Sequence, residues 1–444
     1  MKYQKYQDLV LRHREAILAA ERYIWTHPET GYKEWQTSAY LEQIFEQAGY
    51  TLTKPGDIPG FFTDVDTGRP GPKVLIIGEL DALAAPTHPE AVNGCAHACG
   101  HNAQCAALVG VALALKEPGA LDGLSGSIRL MAVPAEEMIE LEYRQSLREK
   151  GVIRYFGGKV EYMYRGYMDG VDIVYMNHVR PSAPKIVDFC NSDGFITKDV
   201  VYEGVAAHAG GSPQLGVNAL YAATLGLTAI NALRETFTEP ELVRVHPIMT
   251  NGGDCANIIP AQSRISTYVR GSTFDAIRRT STKVNRALAA GALALGAKLH
   301  ITDHPGYAPL LNDSGLTEVA RAVSSELVGA QNVEDSGWET GSTDMGDLSC
   351  VYRTLHVHIA GASGQAHGDD YRITDPETCC VTSAVLELAL AAELLKDDAA
   401  AAKKVIAGSA LRYPNKEAYL ADIDRLDRSW DLISYKDNTA EVTF

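Results

Sequence analysis

Side chains able to act together on a metal or a water recur at four places in this 444-residue sequence. Cys99 and His101 stand two apart in His97-Ala98-Cys99-Gly100-His101, just after the turn-rich His88-Pro-Glu-Ala-Val-Asn-Gly94. In an extended loop that spacing turns both side chains to one side. Thiolate with imidazole suits a borderline-soft metal. Alone, the pair is better explained as a buried cysteine beside a hydrogen-bonded histidine. Glu136-Glu137 follow an apolar run closed by Pro134, where α/β sheets place ligands. Successive side chains diverge, so one carboxylate can bind metal while the other holds a water; acids opening a helix are the alternative. His178 ends another apolar run, and His367 lies in the Gly-rich loop Gly361-Ala-Ser-Gly-Gln-Ala-His367-Gly368-Asp369-Asp370. Each has a plain structural explanation. Four such positions at strand ends or adjoining loops of one sheet domain favour a metal centre with a carboxylate base.

The elements that must position these residues follow from periodicity. Residues 5–24 are expected to form a helix, as are Thr37 to Ala48 and Cys105 to Lys116. Lys73-Val-Leu-Ile-Ile-Gly78, Ser127–Val133 and Asp172–Asn177 are apolar, β-branched runs of buried strands. Strands alternating with helices imply an α/β sheet domain. The middle differs: Lys198–Glu203 and Arg264–Arg270 alternate like half-exposed strands, with helices at Asn218–Arg234 and Thr273–Leu295. This predicts a small α+β domain inserted in the larger one. His304-Pro305-Gly306-Tyr307 is the expected return crossing, with Leu316–Leu327 and Cys380–Leu395 as helices of the first domain. The expected division is 1–190 (catalytic, first part), 191–304 (inserted) and 305–444 (catalytic, second part, with a charged tail and a helix at Lys416–Leu426).

Several motifs in order resemble a known family. They are Gly78-Glu79-Leu-Asp81, His97-Ala-Cys99-Gly-His101-Asn102, Pro134-Ala-Glu136-Glu137 and His178-x-x-Pro181. His27-Pro-Glu29-x-Gly31-Tyr-x-Glu34 with Thr37, Gly204-x-x-x-His208, Pro213-x-x-Gly216-x-Asn218-Ala219, Asn257-Ile-Ile-Pro260 and Ser342-Thr-Asp344 also match. The chain is similar to the two-metal amidohydrolases and metallopeptidases that include aminoacylase, hippurate hydrolase and the auxin-conjugate hydrolases. Asn102 and Ser342-Thr-Asp344 point to the p-aminobenzoyl-glutamate hydrolase and dipeptidase branch. The resemblance covers roughly residues 10 to 396. It implies a mixed-sheet α/β catalytic domain flanked by helices, zinc-exopeptidase-like, with an inserted α+β lid or dimerisation domain.

The resemblance also implies roles. Cys99 would bridge two divalent metals, with His101, Glu137, His178 and His367 completing the ligands. Glu136 would be general base and acid. His208 would stabilise the oxyanion, in relatives often across a dimer interface. Asn257 and Arg270 would hold the substrate's carboxylate or carbonyl. Sister branches carry His where Glu79 stands here, so Asp81 would support the ligands from behind, and His97 would shape the loop. Zinc is the metal a thiolate favours; manganese, cobalt or nickel also suit the set. The expected reaction is hydrolysis of an N-acyl or aminoacyl amino acid, such as p-aminobenzoyl-glutamate or a small dipeptide. Another conjugate (an auxin-type or ureido amide) and a catalytically silent metal-binding paralogue are the alternatives. The stretch 138–156 resembles an insertion; Tyr143, Tyr155 and Phe156 would line an aromatic pocket, or the stretch is a plain amphipathic helix.

Composition narrows the partners. A formal net charge of -16 argues against a nucleic-acid surface. No uncharged apolar run is long enough to span a membrane, and the charged N-terminus lacks the apolar stretch of a secretory signal. The cytoplasm is the expected compartment, and a homodimer through the inserted domain is the expected assembly. Eight irregularly spaced cysteines do not form a disulfide framework.

Overall fold

The structure, a computed structural model, describes residues 2–408, 410–437 and 439–444. The chain forms two compact units. The first comprises Met1–Asn191, Leu311–Glu339 and Asp347–Lys416; the second comprises Ser192–Leu310, Thr340–Gly346 and Glu417–Phe444. Strands longer than two residues are, along the chain, β1 (Phe61–Asp66), β2 (Lys73–Glu79), β3 (Ser127–Val133), β4 (Ile173–Pro181), β5 (Val187–Ser192), β6 (Gly194–Glu203), β7 (Ile248–Asn251), β8 (Gln262–Gly271), β9 (Lys298–Pro305), β10 (Val333–Glu339), β11 (Arg353–Ser363), β12 (Arg428–Lys436) and β13 (Thr439–Val442).

The first unit is built on a mixed sheet of order β1-β3-β2-β4-β11-β5-β10. β2, β3, β4 and β11 run parallel, whereas β1 is antiparallel to β3 and β5 to β11. β2 and β3 are buried almost throughout, which is why they read as continuous apolar runs rather than alternating ones. The helices include α1 (Gln4–Leu11), α2 (Arg14–Trp25), α3 (Trp35–Gln47) and α4 (His101–Leu115). In α4 every residue but Leu113 is buried. A helix apolar all round belongs inside a core, and Gly110 makes this one fit. A Cβ at Gly110 would lie 2.7 Å from Ile17 Cδ1 on α2 and 2.9 Å from Ala384 Cβ. Gly110→Ala would therefore overpack the core at about 1–3 kcal/mol. The first unit also holds α5 (Leu141–Glu149) and α6 (Gly158–Tyr164).

The second unit is an antiparallel sheet of order β7-β8-β6-β9-β12-β13 with helices α7 (Ala219–Leu233) and α8 (Phe274–Leu295). Both helices start on capping side chains: Asn218 accepts from Tyr221 N and Thr273 from Ala276 N. They approach closely because both contacts are glycine, Gly226 and Gly291; a Cβ at Gly291 would meet Ala222 O at 2.3 Å.

Further along, α9 (Ser314–Val328) and α10 (Ser383–Gly408) return to the first unit. By length and composition Glu377–Gly408 could cross a membrane, yet it is mostly buried within the protein. Its backbone also leaves the helix at Lys396–Ala399. Among the described residues it is a core helix.

The structure corrects several expectations. The helix over 5–24 breaks in two at Arg12 and His13. α4 starts at His101 rather than Cys105, so Cys99 sits in a turn and not in an extended loop. β4 runs through His178 to Pro181 instead of ending before it. The division differs from 191–304 and 305–444: the second unit runs to Leu310 and regains Thr340–Gly346 and the tail. A helix does form at Lys416–Ile423, but β12 then pairs with β9 (Leu299 with Ile433, Ile301 with Trp430) and β13 with β12. Leu432 and Ile433, both buried, anchor β12 in the sheet, where its register against β9 shifts by one residue. β1, β5, β10 and β11 have no counterpart among the expected elements.

Candidate metal centre

Local chain geometry brings the four sequence positions together. Gly100 adopts φ 87°, a left-handed conformation, directly before α4. That turn sets Cys99 beside the first helical residue, His101. His178 reaches them from β4, and Cys99 Sγ lies 3.5 Å from His178 Nε2. His367 arrives from the loop after β11 with φ 63°, its N–H bonded to Ala98 O at 2.9 Å. Its Nε2 is 3.1 Å from Glu137 Oε1. The potential ligand atoms of Cys99, His101 and His178 all lie within 4.8 Å of one another, as do those of Cys99, Glu137 and His367, and those of His101, Glu136 and Glu137. Cys99 is common to the first two groups.

Two imidazoles, buried His101 and half-buried His178, are oriented from behind. His101 Nδ1 lies 2.8 Å from Asp81 O and 3.2 Å from Asp81 Oδ1. His178 Nδ1 lies 3.0 Å from Val179 O. A carbonyl can only accept, so Nδ1 carries the proton and Nε2 faces the cluster in each ring. Asp81 Oδ2 also accepts from Glu137 N at 2.8 Å, tying the two motifs together.

The cluster is charged and partly buried, with His367 exposed and Cys99 and His178 half-buried, and several of its polar atoms lack a hydrogen bond. Both nitrogens of His97 find no hydrogen-bond partner among the described residues, and Glu79 Oε2, Asp81 Oδ1 and His101 Nε2 make no hydrogen bond there, only the 3.2 Å ion-pair contacts between His101 and the two carboxylates. Burying polar groups unpaired costs about 1–3 kcal/mol each, so a ligand for them is expected; thiolate, imidazole and carboxylate donors fit divalent metal. Burial raises the Cys99 thiol, but His101 and His178 beside it bring it well below the ordinary thiol range. Burial and the Cys99 charge push Glu137 up to about 7. Hydrogen bonds with Cys99 and Glu137 hold His367 at about 11. Burial would raise Glu79, yet Lys159, His101 and His178 hold it at about 2.

A family model described as peptidase family M20/M25/M40 matches residues 75–392. The chain belongs to that family. Its members are hydrolases, and this chain is a hydrolytic enzyme for C–N amide bonds. It is 30% identical to a mouse Xaa-Arg dipeptidase, over 80% of this chain and 79% of that protein. It is 29% identical to a p-aminobenzoyl-glutamate hydrolase polypeptide of Escherichia coli, over 66% of this chain and 58% of that protein. Among solved structures, a dinuclear metal-binding M20 peptidase from Bacillus subtilis shares the fold. Its TM-score is 0.67 at 18% identity, covering 87% of this chain and 99% of that one.

Other M20 motif residues prove to be supports. Glu29 caps α3, accepting from Gln36 N and Thr37 N at 3.0 and 2.9 Å. Asn102 donates to Glu21 Oε1 at 2.8 Å. An aspartate there would set two carboxylates face to face, which is why this chain carries the amide. Glu79 and Lys159 are the residues that sequence reasoning undervalued. Both are fully buried, with Lys159 Nζ 2.5 Å from Glu79 Oε1 and Glu79 Oε2 3.2 Å from His101 Nε2. The glutamate two residues before Asp81 was the available signal.

A further buried group, Asp188, Cys190 and His358, also has metal-like spacing. Arg180 already donates to Asp188 and to Cys190 Sγ, so that group is closed on itself. In the stretch 138–156, the structure shows helix α5 with Tyr155 and Phe156 buried behind it.

His208, Asn257 and Arg270 belong to the second unit. His208 Nδ1 accepts from Gly210 N and Gly211 N at 3.2 and 2.9 Å, so its Nε2 is a donor. Asn257 O accepts from Ala209 N at 2.9 Å, beside His208. Arg270 donates to Ser342 Oγ at 2.7 Å and to His246 Nε2 at 3.3 Å, and lies over the Phe195 and Tyr268 rings.

Proposed function

We propose that this M20 enzyme cleaves the amide bond of an N-acyl or aminoacyl amino acid, either a small dipeptide or a p-aminobenzoyl-glutamate-like conjugate. The observation that carries this reading is the two ligand groups joined at Cys99, with Glu136 alongside Glu137 in a third. Its relatives named as dipeptidases, p-aminobenzoyl-glutamate hydrolase and N-acetyl-L-cysteine deacetylase support the substrate class.

Cys99, His101, Glu137, His178 and His367 would hold two divalent ions, zinc by the thiolate, with manganese, cobalt or nickel also compatible. Bound there, such ions polarise the scissile carbonyl and make a water acidic enough to attack near neutral pH. Glu136 takes the proton of the attacking water and returns it to the departing amine nitrogen. Asp81 keeps His101 in the tautomer that presents Nε2. His208, with Nε2–H free to donate, stabilises the oxyanion. Arg270 and Asn257 receive the substrate's carboxylate or carbonyl; Arg270 is preset by Ser342 and its aromatic bed. A homodimer through the second unit, in the cytoplasm, completes the proposal. Exposed Tyr221 and Leu225 on α7 and Ile248 on the edge strand β7 support that assembly.

The test is Glu136→Gln, assayed for released amine over a panel of dipeptides and N-acyl amino acids, with metal counted per chain. Metal content should hold while turnover falls by roughly 10²–10⁴-fold. Full activity on every cleaved substrate would sink the base assignment. Two bound metals with no released amine from wild-type protein would favour a silent paralogue.

A further inference from the structure

We propose that Arg144, in the stretch 138–156, is a positioning residue that fixes the main chain carrying Glu136 and Glu137. The inference rests on the roles given to those carboxylates above.

Arg144 lies on α5 and is fully buried. Its Nη1 donates to Ala135 O at 3.4 Å and to Phe156 O at 2.6 Å, and its Nη2 donates to Glu137 O. The guanidinium therefore grips the carbonyls on either side of Glu136 and the far end of the stretch at once. Ala135 needs such a grip. Its φ of 59° is left-handed, a region that residues with a Cβ disfavour and that persists where neighbours over-determine it. Those neighbours are Glu34 Oε1, accepting from Ala135 N at 2.8 Å, Gly158 N, donating to Ala135 O at 3.1 Å, and Arg144.

The seat for the guanidinium is equally specific. A Cβ at Gly31 would lie 2.5 Å from Arg144 Nη2, so only glycine leaves room. Glu140, itself left-handed at φ 51°, accepts from Thr30 Oγ1 at 2.5 Å and Lys33 Nζ at 2.7 Å. Tyr32 Oη donates to Tyr155 O at 3.0 Å. The stretch is thus fastened to residues 30–33 near both of its ends, and its arginine points back at the Glu pair. A planar fork with five donors can span three carbonyls; an ammonium on a flexible stem cannot hold the same geometry.

The experiment uses the full-length, metal-loaded enzyme with Arg144→Lys and Arg144→Met. Misplacing a reacting group by about 1 Å can cost about 10²-fold. The expected result for Arg144→Lys is a kcat reduced about 10- to 100-fold, with KM within about threefold, unchanged metal per chain and an intact thermal transition. In a Glu136→Gln background the same substitution should add little, because the kcat loss on Arg144→Lys is the loss of Glu136 placement, with Glu137 still holding metal. Wild-type kcat in Arg144→Lys overturns the proposal, as does a loss that disappears on normalising to metal-loaded protein. Collapse of both variants overturns it too, since that marks a purely structural role. Activity retained by Glu136→Gln overturns the base assignment alone.

Discussion

Two regions of this protein bury charge, and they do it in opposite ways. In the second unit, Lys198 on β6 faces Asp303 on β9 directly across the sheet. Its Nζ lies 2.7 Å from each carboxylate oxygen, and its side chain is fully buried. In the first unit, Cys99, His101, Glu79, Asp81 and Glu137 crowd together, and several of their atoms make ion-pair contacts at 3.1 to 3.2 Å but no hydrogen bond among the described residues. The first arrangement closes on itself and is architecture. The second leaves ligand atoms open and aimed at common points, which stability alone would not select. Burial and charge are similar in the two regions; only the completeness of the pairing separates a site from a strut.

The sharpest way to break this comparison is to remove the metal. Chelation should abolish turnover, and metal readdition should restore it. The thermal transition should fall by roughly 10 °C, since a ligand present at about a thousand times its Kd contributes about 4 kcal/mol. Calorimetry with and without chelator is the measurement; an unchanged transition together with unchanged activity would mean that the open atoms serve nothing. Next in size is Lys198→Met, which strands Asp303 and should cost about 3 kcal/mol, with kcat per folded molecule preserved. Adding Asp303→Leu should recover most of that loss, because apolar residues replace a buried pair at little net cost. Denaturant melts of the single and double variants decide it: equal stability of the two would show that the pair is no self-contained strut.

Much of the cluster was legible because strand ends and the loops beyond them are where an α/β sheet presents side chains. Glu136-Glu137 after β3 and His178 near the end of β4 followed from that rule. The start of α4 did not, since His101 and Asn102 look like loop residues; their burial comes from Asp81 and Glu21, which are distant in sequence. β11 escaped because Gly361-Ala-Ser363 suggested a loop and His356 and His358 broke its apolar pattern; both histidines are nonetheless buried. β12 and β13 were hidden by the charge of the tail, and β12 also by a partner, β9, more than a hundred residues away, with β13 following it as a hairpin. Arg144 gave no local signal at all. Its three acceptors are backbone carbonyls, which no side-chain pattern reveals.

The smallest test asks whether an open buried atom is enough to mark a site. Glu387 on α10 is buried, accepts only a long bond from Asn177 N at 3.4 Å, and has Oε2 unpartnered among the described residues. It belongs to none of the metal-like groups. Burial pushes its carboxyl up to about 8. In the folded state it keeps its proton to about pH 8, whereas in the unfolded chain it ionises near 4.5. Stability present below that lower value is therefore lost as pH rises between the two. Glutamine stays neutral in both states and suffers no such loss. Glu387→Gln should match wild type at pH 5 and exceed it at pH 8 by on the order of 1–2 kcal/mol, or roughly 2–8 °C. That gain sits below the full linkage value because water penetration and relaxation soften buried sites. Activity should be unchanged. If Glu387→Gln instead lost turnover, a solitary open carboxylate would count as functional, and convergence of ligands would no longer be what tells the two regions apart.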